Sequence, residues 1–351
     1  MKTGAGKSSR RNGDLFLALW GVLLVLVSCH SPRPDLRLYS LGGSTMGTIY
    51  SVKIAAPAAQ TIETDLLQRE IDALLKDINQ VMSTYIPDSE LSRLNQALAG
   101  VWLPVSHDLM MVLMAAQRIS ELSGGAFDIT IGPLVNLWGF GPEVRPEVLP
   151  DSLEIIARQG LVGYKNLLLR PASLEVMKAV SGISCDLSAI AKGYGVDRVV
   201  EFLESKNFDH YMVEIGGEVR VRGCNAAALP WRIGISSPQA GKAIQKVIAP
   251  GRASVATSGD YRNYYERDGV RYSHTIDPLS GRPVTHKLAS VSVVHASCMM
   301  ADAYATALDV LGPVKGLRLA EQESLAVFML VREGSGFREA STPSFDALVQ
   351  K

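Results

Sequence analysis

Asp302 and Thr306 lie four residues apart in an apolar-periodic stretch, so on a helix both project from one face. A carboxylate and a hydroxyl on one face offer hard oxygen ligands to Mg2+, an ion that keeps several waters and borrows phosphate oxygens. The same spacing also suits a helix N-terminus that keeps Asp near its positive end. A second stretch, Asp186-Leu187-Ser188-Ala189-Ile190-Ala191-Lys192-Gly193-Tyr194-Gly195, follows an apolar run over 182–185. It reads as a strand, a polar turn and a helix beginning near Ser188. Free backbone N–H groups at such a turn favour an anion, and Lys192 adds a charge suited to phosphate. A capped helix with a solvated lysine would carry the same residues.

The third stretch is Ser273-His274-Thr275-Ile276-Asp277-Pro278-Leu279-Ser280-Gly281, which ends in a turn signal. His274 and Ile276 sit two apart on an extended segment and face one side. An imidazole beside an acidic turn is a candidate general base, though a structural histidine fits the same pattern. The fourth runs from Gly124 to Leu134. Its paired glycines permit close backbone approach to a ligand, and Phe127 offers a ring to pack on a flat partner. An ordinary helix-to-strand connection reads the same way.

These stretches need elements to hold them. Apolar spacing predicts helices over 60–82, over 109–122 with a glycine cap at Ser123-Gly124-Gly125, and over 188–203. A further helix over 301–311 is closed by Gly312. Alternation predicts strands over 48–54, 211–215, 218–222, 231–235, 290–295 and 325–331, with Gly216-Gly217 as a hairpin turn. Helices and strands mix without a β-α-β rhythm, so the expected class is α+β, with mixed or antiparallel sheets and packed helices. Neither dinucleotide fingerprint occurs.

The chain has 351 residues with 35 Lys+Arg and 35 Asp+Glu. That balance argues against nucleic acid as a partner. Residues 1–14 are polar and basic, and 15–27 form an apolar run too short to span a bilayer comfortably. The run ends in Leu26-Val27-Ser28-Cys29, which resembles a bacterial lipobox. Residues 1–28 are therefore expected to be a lipoprotein signal peptide, Cys29 the acylated residue, 29–40 a lipid-anchored tether and 41–351 the catalytic domain, whole or as two closely packed subdomains. A plain signal peptide or uncleaved anchor is the alternative. The lipid anchor places the body on the periplasmic side of a membrane, with the inner membrane expected. Cys185, Cys224 and Cys298 are too widely spaced for a disulfide framework or a zinc site and read as packing residues, with one disulfide open.

Taken in order, Thr45-Met46-Gly47-Thr48, Met82-Ser83-Thr84-Tyr85, Ser89-Glu90-Leu91-Ser92-Arg93-Leu94-Asn95 and Gly125-Ala126-Phe127-Asp128 resemble the ApbE-type flavin transferases. Pro133 to Gly141, Asp186-Leu187-Ser188 with Ala191-Lys192-Gly193-Tyr194, Ile215-Gly216-Gly217-Glu218, Thr257 to Tyr261, His274 to Gly281 and Ala301-Asp302 with Thr306 extend the resemblance over nearly the whole mature chain. The resemblance implies an enzyme that uses Mg2+ and FAD, the latter as substrate. FMN would be transferred to a Thr (or Ser) hydroxyl of an acceptor protein through a phosphoester, with release of AMP. It further implies acceptor subunits of membrane redox complexes, of the sodium-translocating NADH:quinone reductase or Rnf type. By the family pattern Mg2+ falls to Asp302, Thr306 and the Ala189 carbonyl. FAD falls to Met46, Tyr85, Ala126, Phe127, Asp128, Asp186, Lys192 and Ile276, and His274 matches the base. The same residues with water as acceptor would make an FAD pyrophosphatase, and without turnover a flavin-binding lipoprotein.

Overall fold

The computed structural model describes residues 35–238, 243–260 and 264–350. The predicted signal peptide, Cys29, part of the tether and Tyr261 lie outside them. Leu36–Thr45 (β1) and Thr48–Pro57 (β2) pair antiparallel with Thr45 opposite Thr48, so Met46 and Gly47 alone make the turn. Both have positive φ, 49° and 71°, as a two-residue turn matched to strand twist requires. Glycine accepts this readily and methionine does not.

Six further strands complete one eight-stranded antiparallel sheet: Tyr211–Ile215 (β3), Glu218–Arg222 (β4), Ser254–Gly259 (β5), Leu288–His295 (β6), Ala326–Glu333 (β7) and Gly336–Ser341 (β8). Their order across the sheet is their order in the chain. The sheet is thus a meander, and every chemically suggestive stretch falls in or beside a segment inserted between its strands. Hairpin-like neighbours pair antiparallel without a crossover, which accounts for the missing β-α-β rhythm.

Four helices cover one sheet face: Thr64–Met82 (α1), His107–Leu122 (α2), Ala191–Ser205 (α3) and Cys298–Gln322 (α4). α1 buries Leu67, Ile71, Leu75, Ile78 and Met82, a stripe at helical spacing. Each such fully buried aliphatic side chain contributes about 1.5–3 kcal/mol. On the other face Trp231, Ile233, Ile235, Ile248 and Phe345 pack against Val221, Val255, Val294 and Phe328. A small third cluster joins Leu134, Trp138, Ile155 and Ile276.

Three local expectations are corrected. Residues 182–185 form no strand; Ser184 makes only an isolated parallel bridge to Ile131. The Asn95 amide takes the place of a neighbouring strand, donating to the Cys185 carbonyl (2.9 Å) and accepting the Cys185 N–H (2.7 Å). α3 begins at Ala191 rather than near Ser188, because Asp186 Oδ1 accepts both the Ser188 N–H (2.8 Å) and its hydroxyl (2.5 Å) and keeps the turn closed. Gly312 does break its helix (φ 73°, ψ −179°), but the chain re-enters helix at once through Pro313 and continues to Gln322. No helix among the described residues is long and apolar enough to cross a membrane.

Candidate active site at the start of helix α4

Asp302 sits in the second turn of α4, and the start of that helix is clamped. Asp197, on α3, accepts the N–H groups of Cys298 (2.9 Å) and Met299 (3.0 Å) and the Ser297 hydroxyl (2.7 Å). Arg220 on β4 pairs with the same carboxylate. The first amides of a helix lack partners within it, so a buried anion there is stabilising.

Asp302 is buried, and its Oδ2 accepts the Gly193 N–H at 3.0 Å. A continuous helix would give that N–H to the Ala189 carbonyl, so this carbonyl is left for another donor or a cation. Helix α3 comes so close to α4 that a Cβ on Gly193 would run into the Cys298 carbonyl and stand 2.8 Å from Asp302 Cβ. The Lys192 ammonium lies 3.6 Å from Asp302 Oδ2, 3.6 Å from Glu218 Oε1 and donates to the Ser188 carbonyl at 3.0 Å. Burial works against its charge, yet Asp302 and Glu218 together hold its pKa above the ordinary lysine value. It is no solvated lysine, and its charge is already divided between two carboxylates. Burial, opposed by Lys192, pushes Glu218 up to about 8, and one of its oxygens, Oε2, is buried without a partner.

Thr306, one turn beyond Asp302, exchanges a hydrogen bond with Ser258 at 3.1 Å. Asp302 and Thr306 thus share one face of α4, and Ala189 lies just ahead of α3, whose Gly193 meets Asp302. Among the described residues no three His, Cys, Asp or Glu side chains form a metal cage. A cation here would have one protein carboxylate, one hydroxyl and one carbonyl, all hard oxygen. That donor set fits Mg2+, which retains waters and takes substrate phosphate oxygens.

The free-amide anion site expected at 186–190 is not present in that form. The Ser188 N–H goes to Asp186, and the Ile190 and Ala191 N–H groups go to the Leu187 carbonyl. Phe127 is 2% exposed in the main core, so its ring packs protein and has no free face for a ligand. Ala126 is buried as well. Asp128 is consumed locally: Oδ1 accepts from the Thr130 N–H (2.8 Å) and hydroxyl (2.6 Å), and Oδ2 from the Tyr164 N–H (2.7 Å). Burial pushes its pKa up, and those bonds pull it back.

Tyr85 is 67% exposed, held on a loop where the Ser89 hydroxyl donates to the Ser83 carbonyl (2.6 Å) and caps the next helix through Ser92 N–H (2.9 Å). Its hydroxyl reaches the Phe140 carbonyl at 3.4 Å. Partial burial and then the Asp186 charge raise its pKa. The His274 ring meets the Phe140 ring edge-on, with centroids 6.4 Å apart. Ile276 is buried in the cluster that Phe140 flanks. Met46 belongs to the same neighbourhood through α3: its methyl would stand 3.0 Å from a Cβ on Gly195.

Two chains of contacts result. One joins His274 to Phe140 and Tyr85; the other joins Asp186, Ser188, Lys192 and Asp302, with Thr306 one turn further along α4. Asp309, on α4, returns to the His274 segment by accepting the Thr275 hydroxyl at 2.9 Å. Sequence reasoning gave no role to Glu218, Ser258, Thr275 or Asp309, although the first three lie in stretches that carry the family resemblance. An acidic residue reads by default as solvent-facing, and Asp309 lies in none of those stretches. The three cysteines are free, with Cys185 and Cys298 buried, which agrees with packing roles.

This is a site of hard oxygens, one partly buried lysine and a half-buried histidine on an antiparallel α+β body, the class of site suited to phosphoryl chemistry. Residues 46–329 match the model of the ApbE family. The FAD:protein FMN transferase of Vibrio cholerae serotype O1 is 46% identical over 331 residues, covering 94% of this chain and 97% of the relative. The solved flavin transferase ApbE from Vibrio cholerae superposes with a TM-score of 0.83 at 44% identity, covering 89% of this chain and 99% of that one. The apo flavinyl transferase ApbE of Pseudomonas stutzeri gives 0.82 at 42% identity, covering 89% and 97%. The chain belongs to the ApbE family, and it is an enzyme of the flavin-transferase kind.

Proposed function

We propose that this protein transfers FMN from FAD to a Thr (or Ser) hydroxyl of an acceptor protein, in a Mg2+-dependent reaction that releases AMP. The observation that supports the reading is the cluster in which Asp302, one turn from Thr306 on α4, accepts the Gly193 N–H and faces Lys192 where α3 packs on α4. Asp302, the Thr306 hydroxyl and the Ala189 carbonyl would hold Mg2+, which when bound supplies a Lewis acid to the pyrophosphate oxygens. His274 accepts the proton of the acceptor hydroxyl as that oxygen bonds to the FMN phosphorus. The P–O bond to the AMP phosphate breaks, and AMP leaves with the bonding pair.

Lys192 acts as counter-charge to Asp302 and Glu218, offsetting part of the negative charge next to an anionic substrate. The exposed Tyr85 ring and the Met46 thioether suit flat aromatic faces, and Ile276 gives the site an apolar floor. Residues 126–128 serve FAD through their backbone, since their side chains are buried, and the Asp186 charge is felt at Tyr85. The acceptors are flavoprotein subunits of membrane redox complexes, of the sodium-translocating NADH:quinone reductase or Rnf type. Acylation of Cys29 would hold the enzyme on the periplasmic side of the inner membrane, within reach of them; palmitate incorporation by the wild type and its loss in Cys29→Ala test this.

The deciding experiment incubates the mature protein with FAD, Mg2+ and the purified acceptor subunit, with EDTA as control. In-gel flavin fluorescence on the acceptor is expected only with metal, and His274→Ala should bind FAD without labelling. Equal labelling in EDTA, or rapid AMP release that ignores the acceptor, refutes transfer.

A further inference from the structure

α4 presents Asp302, Thr306 and Asp309 at steps of four and three residues, one continuous face. The first two belong to the site already described. Asp309 lies one turn further, 0% exposed, where nothing in the proposed reaction touches it.

Its surroundings are unusual for a carboxylate. Oδ2 accepts the Thr275 hydroxyl at 2.9 Å, while Oδ1 is buried with no hydrogen-bond partner. The nearby cation, Arg332, is already paired with Asp260, so Asp309 is not its counter-ion. A half-satisfied buried carboxyl is costly, and an apolar residue would fill the space at less expense. What Asp309 does hold is Thr275. That residue is tied at three points: its hydroxyl to Asp309, its N–H to Ser273 Oγ at 3.1 Å, and its carbonyl to the Val284 N–H at 3.0 Å. Ser273 and Thr275 are both buried, and His274 stands half-buried between them.

We propose that Asp309 is a positioning residue: through the Thr275 hydroxyl it fixes where His274 stands relative to the Asp302–Thr306 face of the same helix. One helix then sets both the cation ligands and, by way of a single side-chain bond, the base. The inference rests on the reading of His274 as that base. Burial, then the Asp260 charge, push the Asp309 carboxyl up to about 7, against the pull of Thr275 and Arg332. Either protonation state leaves an oxygen able to accept from Thr275.

The test compares wild type with Thr275→Val, Thr275→Ser, Asp309→Ala and Asp309→Asn. One readout is independent of activity: ring resonances of His274 in 15N-histidine-labelled protein, assigned with His274→Gln. The other is the rate of acceptor-subunit labelling with FAD and Mg2+. The Val and Ala variants should move the His274 resonances and lower kcat at least about 10-fold. Their KM for FAD should stay within about twofold of wild type. The Ser and Asn variants, which keep a donor or an acceptor in place, should restore both readouts. Unmoved His274 resonances in Thr275→Val would overturn the inference. So would Ser and Asn variants that lose thermal stability and kcat as fully as Val and Ala, since that marks a merely structural bond. If wild type labels nothing while the resonances follow the variants as described, the positioning stands and the transfer reading fails.

Discussion

On the α3–α4 side of the site, Asp302, Lys192, Glu218 and the Gly193 N–H hold one another in a buried cluster. On the opposite side, Tyr85, Phe140 and His274 stand on loops, and their neighbours are rings: Phe140 tilts against Tyr265 at 5.4 Å, and Arg145 lies over the Tyr265 ring at 4.8 Å. The first side is charged, closely packed and anchored to the sheet. The second is aromatic, partly exposed and carried by connections. Charge must be placed accurately because its desolvation is expensive, whereas a flat ring tolerates a sliding partner. In the proposed reaction the packed wall would take phosphate and metal, and the open one would take the flat rings.

The largest expected effect breaks the packed wall. Asp302→Ala removes the carboxylate that Gly193 and Lys192 share, and labelling should fall on the order of 100-fold or more, measured across a Mg2+ titration. Saturating metal should not rescue it. Gly193→Ala probes the packing beneath: the added methyl meets the Cys298 carbonyl, and the cost should be about 1–3 kcal/mol, read as a lower unfolding midpoint in urea. The open wall should respond differently. Tyr85→Ala should weaken FAD binding about 3–10-fold with the melting temperature unchanged, as an exposed ring contributes to a ligand and little to the core. A melting-temperature loss comparable to that of Gly193→Ala would erase the distinction.

A further effect concerns pH. Asp309 keeps its proton to about 7 when folded, whereas an unfolded aspartate gives it up near 4. Its contribution to stability is thus full below about 4 and is lost as pH rises toward 7. Relative to Asp309→Asn, the wild type should lose melting temperature steadily across that window, and parallel curves would show that Asp309 does not titrate there.

Much of the architecture could be read from period alone. α1 follows its apolar stripe, the β3–β4 hairpin follows Gly216-Gly217, and the helix bearing Asp302 and Thr306 shows itself by alanine and leucine spacing. What escaped reading depends on partners distant in the chain. The 182–185 run looks like a strand because its residues suit one, yet Asn95 supplies the pairing from 90 residues away. Phe127 looks free beside two glycines, but the core claims its ring. Glu218 and Asp309 look like surface acids until Lys192 and Thr275 are set beside them. Of the site, the ligand candidates on α4 were visible as a pair; the contacts that connect them to the histidine were not.

The clamp at the head of α4 carries a temporal consequence. Asp197 is translated 101 residues before the amide of Cys298 that it receives. Until that later stretch emerges, the carboxylate has no helix to greet, and the reactive pocket has no nucleus around which to form early. Assembly of the centre is therefore deferred until the last part of the chain has been made. A polypeptide cut short before residue 297 would lack α4 and β7, and with them Asp302, Thr306 and a large share of the main core.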